Sequence, residues 1–135
     1  MRTVLTCFIL LLSLLTSAQD IDCSDFKTGV YIIPADETTK TPHTLTRTEK
    51  HQIEEDGTGD KIYTDIKWIN DCTYILMINE DLTTRPISET ERLVNDYGGV
   101  RIEIIKLIEN GYEFSATVDF EGDVLTHKGR LYFKN

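Results

Sequence analysis

Short segments in which apolar and polar residues alternate, separated by turn residues, fill most of the chain. Alternation at every second position is the pattern of a half-buried strand, and tight turns between such strands favour antiparallel pairing. The strongest turn signals are Asn70-Asp71, Asn110-Gly111 and Glu121-Gly122-Asp123. The predicted strands are 28–33, 43–48, 51–55, 60–69, 72–79, 100–108, 112–120 and 124–134. The sequence therefore predicts an all-β domain of seven or eight short antiparallel strands. We expect it to close into a small up-and-down barrel, with a β-sandwich as the alternative.

The segment 86–99 departs from the strand pattern. Ser88 and Glu91 stand at the spacing of a capping box, in which each side chain accepts a hydrogen bond from the other residue's backbone amide. Two glycines follow, as is typical after a helix end. The pattern predicts a helix of about two turns over 89–96, which could cover one mouth of a barrel. An irregular loop is the alternative.

The first 18 residues are typical of a secretory signal peptide. Arg2 precedes an apolar run from Thr3 to Leu15, and the small residues Thr16-Ser17-Ala18 suit a signal peptidase. The apolar run is short for a bilayer span, so a membrane anchor is the weaker alternative. Cleavage after Ala18 would leave residues 19–135, which is 117 of the 135 residues and enough for a single β-barrel domain. We therefore expect a secreted or periplasmic protein with no membrane span after cleavage.

The acidic composition limits the classes of partner. The net charge is −9 for the whole chain and becomes −10 once Arg2 is removed with the leader. Such a domain repels phosphate backbones, so we expect no nucleic-acid partner.

The cysteines indicate one disulfide. Loss of the leader removes Cys7 and leaves Cys23 and Cys72, an even pair in an exported chain. A zinc site and a redox couple are weaker alternatives, because no histidine stands at ligand spacing and Cys-x-x-Cys is absent.

Register arguments place three polar residues on one face of the sheet. If the β-hairpin of 43–48 and 51–55 turns at Glu49-Lys50, Arg47 lies opposite Gln52. If the next turn is centred between Gly57 and Thr58, Ile53 lies opposite Ile62. Thr46, Ile53, Ile62, Thr64, Ile66 and Trp68 would then form the core face, and His43, Arg47, Gln52, Glu54, Tyr63, Asp65 and Lys67 the other. That second face is either a solvated surface or a site where Arg47 binds an anion.

Catalytic and metal motifs are weak. Residues 54–65 only superficially fit a calcium loop, because Asp65 takes the place of the bidentate glutamate and the flanks are strands. His127 shares a strand face with Leu125 and Leu131, as a core histidine often does. No nucleophile motif is present. We therefore predict no metal, no cofactor and no catalytic residue.

Four stretches together resemble a family of short secreted bacterial proteins of unknown function. They are CSDFKTG (23–29), TRT (46–48), QIE (52–54) and IKWINDCTYIL (66–76). The resemblance covers 23–80 well and the rest only as a strand pattern. Some members carry the label "DNA topoisomerase IV", an activity that needs a large multidomain enzyme with a catalytic tyrosine. The resemblance implies a signal peptide, a Cys23–Cys72 disulfide and a small lipocalin-like barrel, and it carries over no catalytic residue.

A small-molecule binding protein is the function that these observations favour, with a small apolar or anionic ligand inside the barrel. The candidate ligand-binding residues are Arg47, Gln52, Glu54, Trp68, Tyr74, Phe114 and His127. One alternative is an envelope-associated module with a filled barrel that binds another protein. A less favoured alternative is an enzyme of unknown reaction.

Overall fold

The computed structural model describes residues 20–37 and 39–135, so the predicted signal peptide lies outside the described residues. A short 3₁₀ turn precedes eight strands, and one helix lies between the fifth and sixth strands. The elements are the 3₁₀ turn Ser24–Phe26, β1 Gly29–Ile33, β2 His43–Arg47, β3 His51–Glu55, β4 Lys61–Asn70, β5 Thr73–Ile78, α1 Glu89–Asp96, β6 Val100–Ile108, β7 Gly111–Phe120 and β8 Asp123–Phe133.

The eight strands form a closed antiparallel barrel in which each strand pairs with its sequence neighbours. The barrel closes where β1 pairs with β8. Tyr31 lies opposite Phe133 there, and Ile32 lies opposite Tyr132. The predicted up-and-down barrel is therefore confirmed, and the sandwich alternative is wrong. A closed barrel removes most exposed sheet edges, but the pairing of β1 with β8 is only two residue pairs long.

A plug formed by residues 20–28, named here the N-terminal plug, closes one end of the barrel. Its Phe26 is buried against Tyr112, with ring centroids 4.8 Å apart, and against Phe133 at 5.4 Å. The predicted disulfide is present: Cys23 of the plug is bonded to Cys72 in the turn between β4 and β5. The plug is thus fixed covalently to the barrel wall.

Helix α1 lies at the other end of β5. It spans the eight residues predicted from the capping box, and both capping bonds are present: the Ser88 hydroxyl accepts from the Glu91 amide, and the Glu91 carboxylate accepts from the Ser88 amide. The Asn95 side chain then joins α1 to the barrel, because it exchanges two hydrogen bonds with the backbone of Ile78, at 2.8 and 2.9 Å. The N-terminal plug and α1 therefore contact opposite ends of β5.

The predicted register between β2 and β3 is confirmed, with Arg47 opposite Gln52, but that between β3 and β4 is wrong by one residue. Ile53 lies opposite Tyr63 because the connecting loop is centred on Thr58 and contains two glycines at positive φ. A one-residue shift exchanges the faces of a strand. Arg47, Gln52 and Glu54 consequently share the barrel interior with Ile62 and Thr64, whereas Thr46 and Ile53 lie on the outer face.

Gly111 has a different role from the one that its turn signal predicts. Ile108 pairs with Gly111, so the turn consists of Glu109 and Asn110, and Asn110 takes the positive φ. A Cβ at Gly111 would lie only 1.9 Å from the carbonyl oxygen of Leu131 in β8. Glycine at this position permits close backbone approach between β7 and β8.

Candidate ligand-binding site

Arg47 lies deep in the barrel with only 2% of its surface exposed. Its Nε and Nη2 donate to the side-chain oxygen of Gln52 at 3.1 and 2.9 Å. Nη1 donates to the carbonyl oxygen of Phe26 in the plug at 2.8 Å, and Nη2 donates to the Tyr74 hydroxyl at 2.8 Å. The guanidinium is also within 5.0 Å of the ring centroids of Tyr31 and Tyr74. Plug and barrel wall together fix its orientation.

The positive charge of Arg47 has no carboxylate partner among residues 20–37 and 39–135. Its hydrogen-bond acceptors are an amide, a carbonyl and a hydroxyl, which are all neutral. Burial disfavours the charged form, but the neighbouring Tyr74 and Tyr112 outweigh it and raise the pKa of Arg47. Because buried charges are normally paired, an unneutralised buried guanidinium is an unusual feature that an anion would complete.

Two buried tyrosines extend this polar group. The hydroxyls of Tyr74 and Tyr112 are 3.4 Å apart. Burial raises the pKa of Tyr74 well above its ordinary value, so its hydroxyl stays protonated at physiological pH. Burial likewise raises the pKa of Tyr31 to about 12. The hydroxyls of Tyr31 and Tyr74 beside the Arg47 guanidinium therefore stay neutral at physiological pH and do not neutralise its charge.

Two adjoining cavities occupy the barrel interior. The inner cavity, of about 160 Å³, is lined by Arg47 and Tyr74 and by a mainly apolar set: Ile33, Leu45, Gln52, Glu54, Leu76, Ile102, Tyr112, Phe114 and Leu131. The outer cavity, of about 270 Å³, lies under α1 and is lined by Gln52, Glu54, Ile62, Thr64, Leu76, Ile78, Thr90, Glu91, Val94, Asn95 and Val100. Gln52, Glu54 and Leu76 line both. The two spaces thus adjoin, one next to α1 and the other next to Arg47.

The two carboxylates that line these cavities already have basic partners. Glu54 lies 2.5 Å from Nδ1 of His43, and both side chains are partly buried. Glu91 accepts from both Nη atoms of Arg85, at 2.6 and 3.1 Å. Among the described residues that line the cavities, Glu54 bonds to an imidazole and Glu91 to a guanidinium, whereas Arg47 bonds only to an amide, a carbonyl and hydroxyls. The interior therefore favours an acidic ligand over a basic one.

The Arg85–Glu91 pair makes the covering helix sensitive to acid. The hydrogen bonds from Arg85 come first among the causes that lower the pKa of Glu91 from its ordinary 4.5 to about 2. A lowered folded-state pKa contributes stability that is complete above pH 4.5 and is lost as the pH falls towards 2.

We expect Glu91→Gln to remove this contribution, which is about 1 kcal/mol because both side chains are partly exposed to solvent. Urea unfolding of the wild type and the variant across that pH range measures it. The stability difference should shrink as the pH falls, and a constant difference would contradict the assignment.

The structure brings together most of the predicted site residues. Arg47, Gln52, Glu54, Tyr74 and Phe114 line the inner cavity. Trp68 and His127 line neither cavity. Trp68 packs against Tyr74 at 4.6 Å, and its indole Nε1 is buried without a hydrogen-bond partner among the described atoms. His127 is exposed near the end of the β7–β8 hairpin.

Sequence reasoning missed Tyr112 and Tyr31 at the deep end, and Asn95 in the covering helix. The alternation in strand 112–120 could have indicated Tyr112, because it puts Tyr112 on the same face as Phe114. No local signal identifies Tyr31 or Asn95, since their roles depend on the plug and on the end of β5.

Comparison with protein-family models, curated proteins and solved structures finds no match to this chain. In residues 20–37 and 39–135, no cluster of three His, Cys, Asp or Glu side chains is arranged to hold a metal ion. Within the same residues, no helix has the length and apolar character needed to cross a membrane.

Proposed function

We propose that this protein binds a small acidic molecule with an apolar body inside its barrel. The acidic group would occupy the inner cavity next to Arg47, and the apolar body would extend into the outer cavity under α1. The observation that carries the proposal is the buried guanidinium of Arg47, which lines a cavity and has no carboxylate partner among the described residues.

The donors around the inner cavity suit an anion. The Arg47 guanidinium donates to Gln52, Phe26 and Tyr74, which are neutral acceptors, and it also interacts with the Tyr112 hydroxyl, so its positive charge is left for a ligand to neutralise. Tyr112 lines the same cavity, where its hydroxyl can donate to an anion. A carboxylate here would form charge-assisted hydrogen bonds where little water competes.

The remaining lining suits a hydrocarbon chain. Leu45, Leu76 and Ile102 continue from the inner cavity towards Ile78 and Val100 in the outer one. Most ligand sites combine such apolar walls with a few polar groups that fix orientation. Volumes of about 160 and 270 Å³ support a ligand role over the alternative of a filled interaction module.

Export and lipocalin-like character are part of the same proposal. The Cys23–Cys72 disulfide supports an oxidising compartment, secreted or periplasmic, since such bonds are rare in the cytosol. A ligand held within a small up-and-down barrel is the lipocalin mode of binding.

Three probes of equal chain length test the proposal: octanoate, octanol and octylamine. We expect octanoate to raise the melting temperature most, octanol less, and octylamine least, because only the carboxylate complements Arg47. Thermal denaturation at equal probe concentrations, at physiological ionic strength, measures the order. Equal stabilisation by octylamine and octanoate would contradict an acidic ligand.

A further inference from the structure

The outer edge of β8 extends beyond the strand that closes the barrel. β7 pairs with β8 from Asp123 to Tyr132, whereas β1 pairs only with Tyr132 and Phe133. No other backbone hydrogen bond from residues 20–37 or 39–135 reaches the 123–131 part of that edge. The edge of β8 is therefore open along nine of its eleven residues.

This open edge is uncovered and partly apolar. Each of the eight residues from Glu121 to Lys128 is exposed. Val124 and Leu125 are 52% and 59% exposed, more than the other large apolar side chains of the described chain. An open strand edge with exposed apolar side chains is a template for pairing with another strand.

Hydrogen bonds near the end of β8 show which backbone groups face the open side. The Phe133 amide donates to Asn110, next to β7, and the Lys134 amide donates to Val30 in β1. The side to which the backbone N–H and C=O groups point alternates from residue to residue along a strand, and the β7–β8 register has no bulge. The N–H and C=O groups of Val124, Thr126 and Lys128 therefore face the open edge, while those of Leu125 and His127 face β7.

We propose that this edge binds the same edge of a second copy of the chain, in antiparallel orientation. Asp123, Leu125 and His127 share one face of the strand, whereas Lys128 and Arg130 lie on the other, and Arg130 already pairs with Glu113. Antiparallel pairing about Leu125 brings each Asp123 carboxylate opposite the partner's His127 imidazole, which can donate a hydrogen bond, whereas parallel pairing would bring like side chains together. This self-complementary order of side chains favours a second copy as the partner.

One register satisfies the alternation of the backbone groups and this order of side chains together. With the two-fold axis at Leu125, that side chain meets the partner's Leu125, and Asp123 lies opposite the partner's His127. Val124 and the partner's Thr126 then exchange two backbone hydrogen bonds, and symmetry doubles this to four. The interface is isologous, as closed dimers require.

Sedimentation velocity across the micromolar to millimolar range tests the proposal. We expect a reversible monomer–dimer equilibrium, and we expect Thr126→Pro to raise the dimer dissociation constant at least about tenfold, since each copy loses a donor at the interface. Proline is tolerated at an edge whose N–H faces away from the neighbouring strand. Thr126→Val, which keeps the amide, is the matched control and should dimerise like the wild type.

Amide hydrogen exchange on the unmodified protein gives a second readout, which does not depend on the fold of a variant. The Val124 and Thr126 amides should become protected as the concentration rises, while the Leu125 amide, bonded to β7, should be protected throughout. A chain that stays monomeric to millimolar concentration would overturn the proposal. A dimer that Thr126→Pro does not weaken, with the Val124 and Thr126 amides unprotected, would also overturn it.

Discussion

Replacing Arg47 by methionine is expected to weaken octanoate binding about 100-fold or more, since truncating one partner of a buried charge pair costs about 2–5 kcal/mol. Methionine keeps much of the side-chain volume but removes the charge and all five donors. Isothermal titration calorimetry of the wild type and the variant measures the loss. Octanol affinity should change far less, because an alcohol forms no ion pair with Arg47.

Arg101→Met is the matched control for this experiment. Arg101 is exposed on β6, so the variant loses the same charge from the outer surface of the barrel. Its octanoate affinity should stay within about twofold of the wild type, since exposed charges act weakly at a distance in salt. An equal loss in both variants would contradict a local role for Arg47. An unchanged affinity in Arg47→Met would contradict it as well.

Replacing Cys23 and Cys72 by serine together is expected to lower the free energy of unfolding by about 4 kcal/mol. The bond joins residues 49 positions apart, so its loss restores considerable freedom to the unfolded chain. Urea denaturation measures the change. The same variant should bind octanoate more weakly, because the plug that supplies the Phe26 carbonyl to Arg47 is then held only by packing and hydrogen bonds.

A reducing agent provides the control for the disulfide prediction. It should destabilise the wild type by a similar amount and leave the double serine variant unaffected. A loss of less than about 1 kcal/mol in both experiments would show that the packing of Phe26 against Tyr112 and Phe133 fixes the plug without the covalent bond.

Local signals predicted the features that depend on neighbouring residues. Helix 89–96 was predictable because the capping box acts within one turn of Ser88. The Cys23–Cys72 bond followed from counting the cysteines that remain when the predicted signal peptide is left out. The β2–β3 register followed from the position of one turn, which places Arg47 opposite Gln52.

Features that depend on the closed barrel were less predictable. The sequence left open whether the face of Arg47 is a solvated surface or a site for an anion, and in the structure Arg47 is buried almost completely inside the barrel. Its partners Phe26 and Tyr74 are 21 and 27 residues away, and they meet it only when the plug enters the barrel and the sheet closes. The predicted β3–β4 register was wrong because a five-residue loop with Gly57 and Gly59 can turn about more than one residue. The burial of side chains in the closed barrel decides which of these turns, and so which register, forms.

The most direct test of the account is a crystal structure of the protein with ω-bromooctanoate, in which bromine locates one end of the ligand by anomalous scattering. We expect the carboxylate to lie about 3 Å from the Arg47 guanidinium and the bromine to lie in the outer cavity beneath α1. Bromine next to Arg47 with the carboxylate towards α1, or ligand only outside the barrel, would contradict the account.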